Sequence, residues 1–97
     1  MSYRIAICDD SPQDAQFVQS ILNRWSTERG AELRVEHFPS AESFLFRYEE
    51  DKAWDILLLD IEMGEMDGVS MAKQVRRENE TVQIVFITGY SDYIAEG

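Results

Sequence analysis

The sequence has little cysteine and no long apolar segment. Cys8 is the single cysteine among 97 residues, which excludes an internal disulfide and fits a reducing compartment. No apolar run approaches the roughly 18 residues needed to span a bilayer. The first ten residues, MSYRIAICDD, contain no basic segment followed by an apolar stretch, so they do not resemble a signal peptide. We therefore expect a cytoplasmic protein that does not enter a membrane.

Basic residues are also scarce. The chain has 9 Lys and Arg against 19 Asp and Glu, and its formal net charge is −10. Such a chain repels nucleic acid and anionic membranes, and it attracts cations or basic partners. Hydrophobic residues make up 44% and charged residues 29%, which is a globular composition. The length predicts one small domain over residues 1–97.

Strand and helix patterns alternate along the chain. We predict strands over 3–8, 33–38, 55–60 and 82–88. The first is rich in β-branched residues, the second alternates apolar and polar side chains as at a sheet edge, and the third is a short apolar run suited to a central strand. Ser11, Ser40 and Asp67 are suitable N-caps for the three helices between them, and Gly30 is suited to end the first. The predicted inward-facing residues of these helices are Val18, Ile21, Leu22 and Trp25, then Ala41, Phe44, Leu45 and Tyr48, then Val69, Ala72 and Val75. This alternation predicts an α/β fold with a doubly wound parallel sheet.

Three carboxylates are predicted to meet at one edge of this sheet. Asp9 and Asp10 follow the first strand, Asp60 ends the third, and Thr88 ends the fourth. In doubly wound sheets the ligand site lies beyond the carboxyl ends of the strands. Each Asp alone is most often a turn or cap residue. Together they form a set of oxygen ligands, which suits a hard divalent cation such as Mg²⁺.

Three other side chains have simpler interpretations. His37 and Cys8 are too scattered for a zinc site, so we expect His37 on the surface at a strand end and Cys8 in the core. Asp67 is expected to cap a helix rather than to bind a metal ion.

The segments CDDS, LLLDIEMGEMDG and FITGY resemble the receiver domain of two-component response regulators, the CheY-like family. The resemblance covers the whole chain. It implies a sheet in which the second, first, third, fourth and fifth strands follow one another. It also implies that Asp60 accepts a phosphoryl group from a sensor histidine kinase.

The same resemblance assigns the remaining site residues. Asp10 and Asp60 would bind Mg²⁺ directly, Asp9 would act through water, and Glu62 would offer its backbone carbonyl to the metal. Thr88 would hydrogen-bond a phosphoryl oxygen and move when it arrives. The segment ITGYSDYIAEG further resembles receivers joined to LytTR-type DNA-binding domains. DNA would then be contacted only through an effector domain that this sequence does not contain.

Two features depart from the family pattern. Gly64 stands where the family usually has Pro, and the sequence ends at Gly97, before the fifth strand, the fifth helix and a Lys that pairs with the phosphoryl group. Lys52 and Lys73 lie in the wrong segments to replace that Lys. We therefore expect a truncated receiver domain with strand order 2-1-3-4. Without a fifth strand the fourth becomes an apolar sheet edge, from which we expect a homodimer, with or without exchange of segments.

Two other functions remain open. A haloacid-dehalogenase-type phosphatase also has an Asp after an apolar strand and a second acid two residues later, as in DIE. That fold needs its nucleophile on an early strand and a longer chain. The other alternative is a pseudo-receiver, an interaction module that takes no phosphate. The intact Asp9, Asp10, Asp60 and Thr88 argue against a pseudo-receiver for the parent protein, whereas the missing Lys argues for it in this fragment. We expect a phosphorylated signalling module that is not an enzyme.

Overall fold

The computed structural model describes residues 2–87, in which four strands alternate with three helices. The elements are β1 (Ser2–Cys8), α1 (Pro12–Arg29), β2 (Glu32–Phe38), α2 (Ala41–Glu50), β3 (Ile56–Asp60), α3 (Gly68–Glu78) and β4 (Gln83–Ile87). Thr88 and the tail that follows it lie outside the described residues, so the expectations for them stay predictions.

All strands pair in parallel, and their order is β2-β1-β3-β4. This confirms the predicted doubly wound sheet. The register places Cys8 opposite Leu59, and Asp60 opposite Ile87. The residues that follow β1 therefore reach the same sheet edge as the end of β3.

The helix boundaries follow the predicted caps. The Ser11 hydroxyl accepts a hydrogen bond from the first turn of α1, and Pro12 is the first helical residue. Gly30 ends α1 with φ 65°, in the left-handed region that favours glycine. Ser40 forms a reciprocal capping box on α2, and Asp67 caps α3. These local signals fix where each helix begins relative to the strand before it.

The core lies on both faces of the sheet, because successive strand residues point to opposite sides. Ala6, Cys8, Leu57 and Leu59 pack beneath α2 and α3. The larger side chains of this cluster are Phe38, Phe44, Tyr48, Trp54, Met63, Met71 and Val75. The second, smaller cluster packs beneath α1 and contains Ile5, Ile7, Ala15, Val18 and Leu58.

Three residues predicted to face inward are exposed instead. Ile21 is 50% exposed and lines a groove of about 410 Å³ between α1 and the β3–β4 side of the sheet, where no described element packs. The ring of Trp25, near the end of α1, packs against the ring of Tyr3 with the two ring planes tilted relative to each other. Val69 is also exposed, because Met71 takes the inward position in the first turns of α3. Helical periodicity therefore predicted the helices correctly, but the prediction that these residues are buried was wrong.

Candidate functional site

The structure brings the three predicted aspartates together. One carboxylate oxygen from each of Asp9, Asp10 and Asp60 lies within 4.8 Å of the others. Asp9 and Asp10 follow β1 directly and Asp60 ends β3, so the pairing of these two strands creates the cluster.

Asp9 is the most firmly held of the three. Its side chain is buried at 5% exposure, and its Oδ1 accepts a 2.8 Å hydrogen bond from the Ser11 backbone N–H. Its own N–H donates to the Phe38 carbonyl at 3.0 Å. Burial raises the pKa of Asp9, and the nearby charges of Asp14 and Asp10 act in the same direction. The hydrogen bond from Ser11 opposes this rise.

His37 supports the same turn, a contact that the sequence analysis missed. Its Nε2 lies 2.8 Å from the Asp9 carbonyl oxygen. A carbonyl oxygen only accepts, so the ring nitrogen donates this hydrogen bond. His37 is exposed at the end of β2, as predicted. Its hydrogen bond also connects β2 to the loop that carries Asp9 and Asp10.

Asp60 is partly buried, and its pKa is raised to about 6. Burial is the main cause, and the neighbouring charge of Asp9 is the next. The backbone N–H groups of Glu62 and Ile61 oppose the rise of this pKa, while the charge of Asp10 adds to it. The side chain that the resemblance predicts as the acceptor is therefore a partly buried carboxylate with a raised pKa.

A cavity of about 700 Å³ opens beside this cluster. Its described lining contains no Lys or Arg, so its potential is strongly negative. The lining residues are Asp10, Ser11, Asp14, Asp60, Glu62, Met63, Gly64, Glu65 and Asp67. Glu62 is one of the lining residues, and the metal contact that the resemblance implies for its carbonyl stays a prediction.

Asp67 and Gly64 in this lining have local structural roles. Asp67 Oδ1 accepts a 2.8 Å hydrogen bond from the Ser70 N–H, which holds the pKa of Asp67 below its usual range. It caps α3 as predicted. Gly64 has φ 43°. Proline cannot adopt this conformation, because its ring fixes φ at about −65°. The departure from the family's Pro therefore gives this loop a backbone conformation that Pro could not adopt.

The donor atoms of the cluster fit a hard divalent cation. All three are carboxylate oxygens, with neither a cysteine nor a histidine ligand in the cluster. Cys8 is buried, and burial followed by the charge of Asp9 raises its pKa to about 12, so it remains a neutral thiol. Burial is the main cause of the raised pKa of Asp9 and Asp60, and the neighbouring negative charges, which add to it, are the charges that a bound cation would offset.

Comparison with known proteins identifies the family. The family model of the response regulator receiver domain matches residues 5–96. The chain belongs to this family. The receiver is 31% identical over 88 residues to the response regulator receiver protein CpdR of Brucella abortus, covering 91% of this chain and 68% of that protein. It is 30% identical over 97 residues to the transcriptional regulatory protein ComA of Bacillus subtilis, covering 96% and 43% respectively.

A solved structure shows the same fold. The response regulator TrrA of Thermotoga maritima, in complex with Mg²⁺ and BeF, superposes with a TM-score of 0.70 at 26% identity, covering 97% of this chain and 76% of that one. The receiver thus spans about two thirds of CpdR and less than half of ComA. Within the described residues, no helix is both long and apolar enough to cross a membrane.

The raised pKa of Asp60 gives a pH-dependent stability. Because the folded pKa of about 6 exceeds the usual 3.8, folding favours the protonated carboxyl. The resulting stability is complete below pH 3.8 and is lost as the pH rises through about 6. Asp60→Asn should therefore stabilise the metal-free receiver near neutral pH by about 1 kcal/mol, after allowance for solvent screening.

Urea unfolding in the presence of a chelator measures this effect. The gain from Asp60→Asn should be present at about pH 7.5 and nearly absent at about pH 4. An equal gain at both values would show that the charge of Asp60 does not destabilise the fold.

Proposed function

We propose that this receiver accepts a phosphoryl group from a sensor histidine kinase on Asp60, in a reaction that needs Mg²⁺. The observation that carries the proposal is the convergence of Asp9, Asp10 and Asp60 at the mouth of an acidic cavity, with the Asp60 carboxylate partly exposed. The family and the strand-end positions support the same assignment.

In the proposed reaction an oxygen of the Asp60 carboxylate attacks the phosphorus of a phosphohistidine. A new O–P bond forms, the P–N bond breaks, and its electron pair returns to the imidazole of the kinase. The backbone N–H groups of Ile61 and Glu62, which lower the pKa of Asp60, would help to position the attacking carboxylate. The product is an aspartyl phosphate.

Asp10, Asp60 and the Glu62 carbonyl would hold the Mg²⁺ directly, and Asp9 would hold it through water. When bound, the ion supplies positive charge between the carboxylates and the phosphoryl oxygens. Asp9 is suited to an indirect role, because its Oδ1 already accepts the Ser11 N–H. The Thr88 hydroxyl would donate a hydrogen bond to the phosphoryl group.

The wider role follows from the same proposal. The phosphorylated state would be passed to an effector domain that regulates transcription, of the LytTR type suggested by the tail. We propose a cytoplasmic signalling module rather than an enzyme. The net charge of −10 makes direct contact with DNA unfavourable.

Intact-mass measurement after treatment with acetyl phosphate tests the proposal. With Mg²⁺ present, the receiver should gain the mass of one phosphoryl group, and a chelator should prevent the gain. No gain by a folded, Mg²⁺-binding protein would instead indicate a pseudo-receiver. Sustained hydrolysis of unrelated phosphate esters would indicate a phosphatase.

We further propose that the 97-residue chain forms a homodimer through β4. Within the described residues β4 pairs only with β3, so one side of its backbone has no strand partner. Val85 and Phe86 are exposed, and Gln83 is the only strongly polar residue of the strand. An apolar edge of this kind is a template for pairing with another chain.

Phe86→Lys should convert this dimer to a monomer, because a charge on the edge strand disfavours pairing. Phe46→Lys is a matched control, since Phe46 is 73% exposed on α2, away from β4. Size exclusion with light scattering at low and moderate salt measures the mass. The repulsion between chains of charge −10 weakens the dimer most at low salt. A monomeric parent at tens of micromolar would contradict the proposal.

A further inference from the structure

Gly68 lies in unusually close contact with the acceptor residue. It is the first residue of α3 and is buried. A Cβ placed on Gly68 would lie 2.3 Å from the Asp60 carbonyl oxygen and 3.1 Å from its carbonyl carbon. Both atoms belong to the backbone, so no side-chain rotation could relieve the clash. The amino end of α3 therefore packs directly against the peptide group that joins Asp60 to Ile61.

The need for glycine here arises from space and not from backbone conformation. Gly30 and Gly64 have positive φ, whereas Gly68 does not. The backbone conformation of Gly68 would thus allow a side chain, but that side chain would clash with the backbone of Asp60. A hydrogen bond of 2.9 Å from the Gly68 N–H to the Ile61 carbonyl adds a second contact to the same segment.

We propose that Gly68 is a positioning residue for phosphoryl transfer, which fixes the backbone that orients the Asp60 carboxylate. The proposal rests on the proposed role of Asp60 as the acceptor. The peptide held by Gly68 carries the N–H of Ile61, and the next peptide carries the N–H of Glu62. Both N–H groups act to lower the pKa of Asp60, as donors beside its carboxylate do. The Glu62 carbonyl, assigned to the metal, belongs to the same segment.

A methyl group at Gly68 must displace this segment by about 0.7 Å or more, because its carbon would lie 2.3 Å from an atom that it cannot approach within 3.0 Å. The backbone of Asp60, from which the carboxylate projects, and the peptides of Ile61 and Glu62 would then leave their parental positions. Misplacement of a reacting group by about 1 Å costs on the order of a hundredfold in rate. For a displacement of this order, we predict that phosphorylation slows by about 10-fold to 100-fold in Gly68→Ala.

Gly30→Ala is the matched control. Its Cβ would meet nothing within 4 Å, but φ 65° strains any other residue, so this change also destabilises the fold. Gly30 lies at the far end of α1, an 18-residue helix about 27 Å long. The two variants therefore both lose stability, while only Gly68→Ala disturbs the site.

Three measurements compare the variants with the parent under conditions in which each is folded. These are the backbone amide NMR shifts of Ile61 and Glu62 without metal, the Kd for Mg²⁺, and the rate of phosphorylation by acetyl phosphate. Gly68→Ala should shift both amides, weaken Mg²⁺ binding and slow the reaction. Gly30→Ala should retain parental values in all three. Parental amide shifts and rate in Gly68→Ala, or equal losses in both variants, would overturn the proposal.

Two arrangements keep the outcome interpretable. If Gly68→Ala is largely unfolded in buffer, the measurements are made in trimethylamine N-oxide, which favours compact states. A refolded variant with parental Ile61 and Glu62 amides then overturns the proposal, and displaced amides support it. If the parent itself takes no phosphoryl group, the proposed function fails, whereas the amide shifts and the Mg²⁺ affinity still decide the role of Gly68.

Discussion

Asp60→Asn is expected to gain no phosphoryl group when treated with acetyl phosphate and Mg²⁺, while the parent gains one. The amide of Asn has no anionic oxygen, so it is a far weaker nucleophile toward phosphorus than a carboxylate. The change also removes one of the three charges that would hold the cation. Both effects act in the same direction, and intact-mass measurement should show complete loss of the modification.

Asp55→Asn supplies the control on the same strand segment. Asp55 immediately precedes β3, at the opposite end from Asp60. Its Oδ2 accepts a 2.8 Å hydrogen bond from the Arg4 N–H, and the amide oxygen of Asn can accept the same bond. This variant should be phosphorylated like the parent. Labelling of Asp60→Asn to the parental extent would move the acceptor to another residue, with Asp9 and Asp10 the nearest carboxylates.

The sequence predicted the fold and the convergence of Asp9, Asp10 and Asp60 for a physical reason. Buried parallel strands are continuous apolar runs, so their ends are sharply marked by residues such as Asp9 and Asp60. In a doubly wound sheet those ends must meet at one edge. Local capping chemistry at Ser11, Ser40 and Asp67 then set the helix starts. Each of these signals is local in the sequence. The strand order of the sheet then brings the marked strand ends together in space.

The features that could not be predicted depend on distances between segments. The clash that requires glycine at position 68 involves the carbonyl of Asp60, eight positions earlier, and no local rule reveals it. The contact of His37 with the Asp9 carbonyl depends on the pairing of β2 with β1. Ile21 has a helical position suited to the core, but periodicity does not say whether another element covers that face.

The site also depends on the core beneath it. Phe38 lies at the end of β2, and its carbonyl accepts the N–H of Asp9. Its ring packs edge-on against Phe44, with ring centroids 5.2 Å apart, and against Trp54 at 5.8 Å. Phe44 also stacks on Tyr48 at 5.6 Å. The aromatic cluster around Phe44 therefore supports the turn that carries the acidic pair.

Phe44→Ala should consequently destabilise the receiver by about 3–5 kcal/mol, because it removes a fully buried ring and leaves a cavity among three aromatic neighbours. Domains of this size have a total stability of about 5–15 kcal/mol, so much of the margin would be lost. The melting temperature should fall by at least about 12 °C.

Phe46→Ala is the natural control for this change. Phe46 lies two positions later on the same helix and is 73% exposed, so its removal should change stability by less than about 0.5 kcal/mol. Urea unfolding of both variants, with and without Mg²⁺, measures the difference. Mg²⁺ should raise the stability of both, because a ligand of the folded state shifts the equilibrium by mass action. Equal losses in the two variants would show that the ring of Phe44 is not the centre of the core, and that the turn bearing Asp9 is held by other contacts.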